Sequence, residues 1–377
     1  MTTPWGEHAL ARFPEDPRDR LRAWDASDAY LLRHLAEEAT DLSGTVVVVG
    51  DRWGALTTAL AERAPVQITD SFLGQEATRR NLARDGADAG AVRLLTTQDP
   101  PPERIDVLLV RVPKSLALLE DQLLRLAPSV HPGTVVVGTG MVKEIHTSTL
   151  TLFERVLGPT RTSLAWRKAR LIHCVPDPAL ERPANPWPYR YTLPEDVGVL
   201  SGRPVVNHAG VFCADRLDVG TRFFLRHLPD GAGARRVVDL GCGNGVVGTA
   251  MALTRPGAEV LFTDESFQAA ASAEATYRAN GAPGKAEFRV GDALAGEPAG
   301  SVDLVLNNPP FHSHHATTDA AAGRMFAGAR RALRPGGELW VVGNRHLGYH
   351  VTLRRMFGEC RLVASDPKFV VLRAVRR

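Results

Sequence analysis

The sequence predicts an α/β protein made of two tandem Rossmann-like domains. Short β-branched runs alternate with longer Ala-, Leu- and Arg-rich stretches of helical period, such as 266–279 and 323–333. This alternation is typical of a parallel sheet covered by helices on both faces. At 377 residues the chain is long enough for two domains, each with its own core. Motifs of the first half also recur in order in the second half, which indicates an internal duplication.

The repeat pairs five segments of the first half with five of the second. They are 45–56 with 237–248, 68–86 with 262–281, 105–114 with 302–311, 131–138 with 334–343, and 168–175 with 368–375. Six prolines lie within 175–194, which indicates a semi-rigid linker. We therefore expect a first domain over 1–175, a linker over 176–195 and a second domain over 196–377.

The composition favours a cytoplasmic protein and allows a polyanionic partner. Hydrophobic residues make up 44% and charged residues 23%, as in ordinary globular chains. No apolar run reaches membrane-spanning length, and no basic-then-apolar leader precedes the first domain. The four cysteines form no CxxC pair, which argues against a zinc site or a disulfide framework. The net charge of +3 comes from the second domain, where 22 Lys and Arg face 17 Asp and Glu.

A glycine loop follows the first strand of the second domain. Gly241, Gly243 and Gly245, with Asn244 between them, lack the side chains that would keep a flat nucleoside from lying on the backbone. A nicotinamide dinucleotide is disfavoured because Val246 stands where G-x-G-x-x-G has its third glycine. The loop indicates S-adenosylmethionine when it is combined with the motif described below.

Carboxylates at strand ends supply the rest of the predicted cofactor site. We expect Asp239 to orient the ammonium of the methionine end and Asp264 to accept from the ribose hydroxyls. Capping of the following helix is the alternative role of Asp264. Asp292 would meet the adenine amine, with the backbone of Ala293 beside it. Upstream residues that could cover the carboxylate end of the cofactor are Asp218, Gly220 and Thr221.

The tetrapeptide Asn308, Pro309, Pro310 and Phe311 follows the apolar run 302–306. An Asn oxygen and a nearby backbone carbonyl can both accept from one NH2 group, while proline stiffens the turn. Phe311 would stack on a planar substrate and align its nitrogen. This motif predicts methylation of an exocyclic amine, without a metal or a covalent intermediate; a strand-terminating turn is the structural alternative.

The first domain lacks these features. It has Val48 where the second has Asp239, Arg52 for Gly243, Trp53 for Asn244, and 111–114 in place of the tetrapeptide. Bulky side chains in such a loop block a ligand's approach to the backbone. We expect the first domain to bind no cofactor, to brace the second and to help hold a large substrate.

These residues resemble the ribosomal RNA guanine-N2 methyltransferases. The resemblance covers nearly the whole chain and rests on 211–229, 239–245, 263–266, 308–319, 337–350 and 368–372. It implies two class I methyltransferase domains, the first degenerate, and S-adenosylmethionine as methyl donor. The stretches 308–319 and 344–350 are more similar to the large-subunit branch, which implies a flipped guanine of largely protein-free 23S RNA. We expect a monomer that binds no membrane.

Several alternatives remain at this stage. The same motif serves enzymes acting on 16S RNA, DNA adenine and protein glutamine, and a non-catalytic RNA-binding protein could keep the fold. His312, His314 and His315 suit the substrate edge better than a metal site, since no acidic or cysteine partner stands at ligand spacing. Candidate RNA backbone contacts, or else solvated helix faces, are Arg324, Arg330, Arg331, Arg345, Arg354 and Arg355.

Overall fold

A computed structural model describes residues 1–16, 19–88, 90–310 and 315–377, with the side chains of 315–319 outside the description. The described chain forms two compact units, unit 1 over Met1–Trp187 and unit 2 over Pro188–Arg377. None of the helices in these ranges is both long and apolar enough to cross a membrane.

Unit 1 alternates strands and helices, as the sequence predicts. Its strands are β1 (Thr2–Thr3), β2 (Gly6–Glu7), β3 (Val46–Val49), β4 (Val66–Thr69), β5 (Arg93–Thr96), β6 (Ile105–Arg111), β7 (Val130–Met141), β8 (Thr160–Thr162) and β9 (Ala169–Cys174). Its helices are α1 (Ala26–Glu37), α2 (Ala55–Ala59), α3 (Phe72–Asp85), α4 (Leu116–Leu126) and α5 (Thr147–Val156).

Unit 2 repeats this alternation. Its strands are β10 (Tyr189–Thr192), β11 (Pro204–Asn207), β12 (Arg236–Leu240), β13 (Glu259–Asp264), β14 (Lys285–Val290), β15 (Val302–Asn307), β16 (Leu333–Asn344), β17 (Arg361–Ser365) and β18 (Phe369–Val375). Its helices are α6 (Val219–Leu225), α7 (Val246–Thr254), α8 (Phe267–Ala279), α9 (His315–Ala332) and α10 (Tyr349–Phe357).

The two units share one sheet topology. The strand order is β5-β4-β3-β6-β7-β9-β8 in unit 1 and β14-β13-β12-β15-β16-β18-β17 in unit 2. In each sheet the first five strands are parallel, and the last two join by antiparallel pairing. The predicted pair of Rossmann-like domains is confirmed.

Both faces of each sheet are buried, which explains the β-branched runs. In β3, Val47 and Val49 pack into one core, while Val46 and Val48 pack into the core on the opposite face. The same alternation places Val238 and Val237 of β12 in separate cores. Because successive side chains of a strand point to opposite faces, a strand between two helical layers has no polar face.

The topology of unit 2 positions a crevice at the carboxyl ends of its strands. Central β12 is flanked by β13 and β15, so the chain crosses over in opposite directions on either side of it. Ligands of such sheets bind where the strand order reverses. The glycine loop follows β12 and the Asn-Pro-Pro turn follows β15 at this edge.

Two elements differ from the sequence-based expectation. The stretch predicted as linker contains β10, which pairs with β11. β11 is held on α8, where the Val206 amide donates to Thr276 Oγ1 at 3.0 Å. Helix α9 begins at His315, ahead of the stretch of helical period at 323–333. Pairing with β11 explains β10, which local composition does not indicate.

Candidate active site

The glycine loop combines a packed glycine with an open one. Gly245 has φ +75° and precedes α7, and a Cβ there would lie 2.6 Å from the Cα of Ala273 in α8. Gly243 has φ +52°, and a Cβ there would meet no described atom within 4 Å. Helix packing therefore requires Gly245. At Gly243 the backbone faces open space, which is the surface that a bound nucleoside would need.

Asp264 at the end of β13 fastens this loop. One oxygen accepts from the Gly243 amide at 3.0 Å and the other from the Ser266 amide at 3.1 Å. Burial raises the pKa of this carboxyl. The N-cap of α8 is Ser266, whose hydroxyl accepts from the Ala269 amide at 3.0 Å. The Glu265 amide also bonds this carboxylate. Because a carboxylate has about four lone-pair sites, Asp264 can still accept from a ligand hydroxyl.

Asp239 lies at the bottom of the crevice and is 3% exposed. Its Oδ2 accepts from the Gly248 amide of α7 at 2.7 Å. Burial raises the pKa of Asp239 to about 7, and the nearby Asp264 carboxylate adds to the rise. A buried carboxyl with one protein partner is a strong site for a cation, because an ammonium would supply the missing counter-charge.

The predicted adenine contacts lie beyond β14. Asp292 Oδ1 forms an ion pair with Arg324 Nε of α9 at 3.4 Å. Ala293 has φ +49°, and its carbonyl accepts from Thr263 Oγ1 at 3.3 Å. The structure therefore places both residues at the carboxyl edge, and Arg324 holds Asp292 there.

The hydrogen bonds around Asn308 fix the orientation of its amide. Asp218 is the N-cap of α6, and its Oδ2 lies 2.8 Å from the Thr221 amide and 3.2 Å from Thr221 Oγ1. Since a carboxylate can only accept, the Thr221 hydroxyl must donate to Asp218 and accept from its other neighbour. That neighbour is Asn308 Nδ2 at 3.0 Å. Asn308 therefore presents its NH2 to Thr221 and turns Oδ1 away from it.

Asn308 Oδ1 is buried and has no hydrogen-bond partner among the described residues. Pro309 is buried and Pro310 exposed. A buried amide oxygen without a partner costs about 1–3 kcal/mol, and a substrate N–H bound to this oxygen would remove that cost. The arrangement can receive one N–H from a substrate amine.

The glycine loop and the Asn-Pro-Pro turn are adjacent. A Cβ built on Gly241 would lie 3.9 Å from the Asn308 carbonyl oxygen and 3.9 Å from Asn307 Nδ2. A ligand on the loop and an amine at Asn308 would therefore be neighbours, as direct transfer between them requires.

Two asparagines that support the site were missed by the sequence analysis. Asn307 Nδ2 donates to the Leu240 carbonyl at 2.7 Å, which joins the ends of β15 and β12. Asn207 Oδ1 accepts from Asn244 Nδ2 at 3.0 Å and so anchors the loop to β11. A polar residue ending an apolar run was an available signal for Asn307. Asn207 gave no signal, because it reaches the loop only through the fold.

Some predicted residues cannot be placed or are engaged elsewhere. Phe311, His312 and His314 lie outside the described residues, as does the side chain of His315. No cluster of metal-binding side chains occurs among the residues that are described. Three of the predicted RNA contacts already bind protein groups, namely Arg324 to Asp292, Arg331 to the carbonyls of Leu294 and Ala295, and Arg345 to the carbonyl of Asp366.

The equivalent edge of unit 1 holds a network of ion pairs. Arg111, in the position of Asn308, has a fully buried side chain. It lies 2.7 Å from Asp25, 3.3 Å from Asp28 and 3.1 Å from Glu144. Arg52, in the position of Gly243, pairs with Glu144 at 2.8 Å. The two cations lower the pKa of Glu144 to about 2.

Unit 1 also replaces the helix contact of Asp239. Asp51 Oδ2 accepts from the Thr57 amide at 2.8 Å, and Thr57 aligns with Gly248. The carboxylate that caps the helix thus comes from a different position of the loop. Unit 1 therefore keeps the loop and its helix contact, but Arg52 stands where unit 2 has the unobstructed Gly243.

The sheet order, the glycine loop and the Asn-Pro-Pro turn together define a class I methyltransferase fold. Residues 1–178 match the RLMG N-terminal domain family, and residues 202–373 match the methyltransferase small domain family. The chain is 79% identical over 376 residues to Ribosomal RNA large subunit methyltransferase G of Streptomyces coelicolor, with 100% of both chains covered. The namesake of Pseudomonas paraeruginosa is 48% identical over 379 residues, with 99% of both covered.

The chain therefore belongs to the ribosomal RNA large subunit methyltransferase G family, and it is a methyltransferase. The resemblance drawn from the sequence and its large-subunit branch are confirmed. Among solved structures, a 16S rRNA N2 methyltransferase of T. thermophilus in complex with AdoMet and guanosine aligns with TM-score 0.74 and 22% identity, covering 98% of each chain. That likeness shows the two-domain fold.

Proposed function

We propose that this enzyme methylates the exocyclic N2 amine of one guanine in 23S ribosomal RNA. S-adenosylmethionine is its methyl donor. The observation that carries the proposal is the buried Asn308 Oδ1, which is fixed as an acceptor by Thr221 and lies beside the glycine loop. The names of the relatives, which specify large-subunit ribosomal RNA, favour this substrate over the alternatives left open by the motif.

The proposed chemistry is direct displacement at the methyl carbon. The lone pair of a guanine amine is delocalised into the ring, so the nitrogen is a weak nucleophile. Acceptors on its hydrogens favour the tetrahedral nitrogen, and fixed dipoles of this kind can supply several kcal/mol in the transition state. Bound S-adenosylmethionine would supply an electrophilic methyl group to this nitrogen, and the methylated nitrogen would pass its surplus proton to water. Asn308 Oδ1 and a neighbouring backbone carbonyl would hold the two N–H groups until the methyl group is transferred.

The residues of the crevice fit this cofactor, which supplies an electrophilic methyl group when bound. We assign Asp264 to the ribose hydroxyls, Asp239 to the ammonium, and Asp292 with Ala293 to the adenine. Gly241, Gly243, Asn244 and Gly245 would form the surface beneath the nucleoside. The remaining acceptor capacity of Asp264 and the burial of Asp239 support these roles.

The upstream segment receives a different role from the one expected from sequence. Asp218 caps α6 and holds Thr221, while Thr221 holds Asn308. Gly220 packs against Phe369, where an added Cβ would lie 3.0 Å from the ring. We therefore assign Asp218 and Thr221 to the positioning of Asn308.

The target guanine would have to leave its stack to reach Asn308. Phe311 is the residue we expect to stack on it. We further propose that unit 1 binds no cofactor and contributes to RNA binding, and that the enzyme acts as a monomer on largely protein-free RNA in the cytoplasm. The buried Arg111 network supports the first of these assignments.

The test is methyl transfer from labelled S-adenosylmethionine to protein-free 23S and 16S RNA and to intact subunits. Mass mapping would then locate the modified nucleotide, with Asn308→Ala as the control variant. We expect label on one 23S guanine amine and at least a hundredfold less in the control. Label on 16S RNA alone would contradict the choice of substrate. Absence of label from every RNA, with cofactor binding intact, would overturn the RNA assignment.

A further inference from the structure

The hairpin between β8 and β9 of unit 1 ends in an unusual turn. Trp166 and Ala169 exchange two backbone hydrogen bonds of 2.9 and 2.8 Å, which leaves Arg167 and Lys168 as the central residues of a two-residue turn. Their φ angles are +49° and +65°. Such turns strongly favour Asn-Gly, because both central residues adopt left-handed backbone. Two long cationic side chains are thus held in a conformation that disfavours them.

The charge around this turn has one sign. Residues 160–171 contain Arg161, Arg167, Lys168 and Arg170 but no Asp or Glu. Arg167 and Lys168 are exposed, and neither forms an ion pair with a described residue. The backbone of the turn is held by the fold, since the Lys168 carbonyl also accepts from the Val142 amide at 2.8 Å, whereas the two charges have no acidic partner among the described residues. Backbone strain retained under two unpaired cations is a feature that often marks a functional site.

The turn is braced against helix α1. The Arg33 guanidinium lies 4.4 Å and the Arg167 guanidinium 4.7 Å from the Trp166 ring centroid. Tyr30 contacts the same ring at 5.6 Å, and its hydroxyl donates to the Leu164 carbonyl at 3.2 Å. Arg33 is also 3.3 Å from Glu37. Contacts with helix α1 therefore hold the turn that carries the exposed cations.

We propose that this cationic turn, Trp166–Ala169, binds the phosphate backbone of the RNA substrate. The inference rests on the proposed function, which makes the partner a polyanion. Exposed cations without acidic partners are suited to bind phosphates. The faces of the Trp166 ring are already in contact with the Arg33 and Arg167 guanidinium groups, so stacking of a base on this ring is not part of the proposal. The turn would therefore position the RNA without reading its sequence.

The turn allows a test in which stability and binding move in opposite directions. The double variant Arg167→Asn/Lys168→Gly places the preferred residues in the turn and removes both charges. We expect an unchanged or higher Tm, together with roughly tenfold weaker RNA binding and a correspondingly higher KM for RNA. The slope of log Kd against log salt should fall by about 1 for each phosphate that the variant no longer neutralises.

The matched control is Arg63→Asn/Arg93→Asn. These exposed arginines lie toward the β5 edge of the sheet, opposite β8, and their removal changes the net charge equally. If Arg167→Asn/Lys168→Gly had the same RNA affinity and the same salt slope as this control variant, the proposal would be overturned. Cofactor binding by calorimetry serves as a separate readout. If the wild-type protein binds the cofactor but neither binds nor methylates RNA, the proposed function fails as well.

Discussion

At the scale of single residues, a chain of hydrogen bonds fixes the orientation of the Asn308 amide. Asp218 cannot donate, so Thr221 donates to it and accepts from Asn308. The sequence indicated that Asn308 would accept from an amine. It did not indicate what prevents the amide from turning over, because Thr221 lies 87 positions away along the chain.

Thr221→Val should test this arrangement, because valine has the same shape without the hydroxyl. The Asn308 amide loses its fixed orientation, and we expect kcat to fall roughly ten- to hundredfold. Affinity for S-adenosylmethionine should change little. Thr221→Ser should restore most of the rate, since it keeps the hydroxyl. Weaker cofactor binding with an unchanged kcat would instead make Thr221 a cofactor contact.

The pKa of Asp239 leads to a prediction about pH and stability. The folded-state pKa of about 7 lies above the ordinary 3.8, so the protonated carboxyl is favoured in the folded state. Its stabilising contribution is complete below about pH 4 and is lost as the pH rises through 7, by up to about 4 kcal/mol. Asp239→Asn keeps an acceptor for Gly248 without the charge. Without cofactor, it should exceed the wild type in free energy of unfolding at pH 8, by a margin that shrinks toward pH 4.

Denaturant unfolding at pH 4, 6 and 8 would measure this difference. Asp303→Asn is the matched control, because the pKa of Asp303 is lowered by the Arg236 and Arg235 amides and by Arg334. That variant should lose stability at pH 8, where the wild-type carboxylate is ionised and bound. A margin for Asp239→Asn that is independent of pH would rule out the raised pKa.

At the scale of elements, the sequence was informative where periodicity and burial agree. The buried strands β3 and β12 follow from local pattern, since their valines pack into the cores on both faces of the sheet. Strand β10 did not, because pairing with β11 creates it within a proline-rich stretch. The same limit applies to the loop supports: Asn207 reaches Asn244 from a separate hairpin, and no local pattern encodes that hydrogen bond.

At the scale of the whole molecule, duplication has produced two copies of one sheet with different contents at the carboxyl edge. In unit 2, Gly243 faces open space, and Asn308 Oδ1 has no hydrogen-bond partner among the described residues. Unit 1 has buried Arg111 among three carboxylates at the same place. From the bulky loop residues the sequence predicts that unit 1 binds no cofactor, which stays a prediction. The ion pairs could not be predicted, because they join residues far apart in the chain.

Arg111→Met should therefore destabilise unit 1 by about 3–5 kcal/mol, because it leaves buried carboxylates without a counter-charge. Hydrogen exchange of the β3 and β6 amides would measure the destabilisation. Calorimetry should still find one cofactor per chain. The control Arg155→Met breaks an exposed pair with Glu120 and should cost no more than about 1 kcal/mol. A second cofactor in the wild type would contradict the assignment of unit 1.

Under the proposed function, the fixed amide of Asn308 would also discriminate among bases. With its NH2 held by Thr221, the side chain can offer only an oxygen to whatever enters. A purine with a carbonyl at the 2-position would bring oxygen against oxygen, and one with hydrogen there would leave the acceptor unbound. Discrimination among bases and activation of the nucleophile would then depend on the same atom, so a guanine bound through that atom would already be oriented to react.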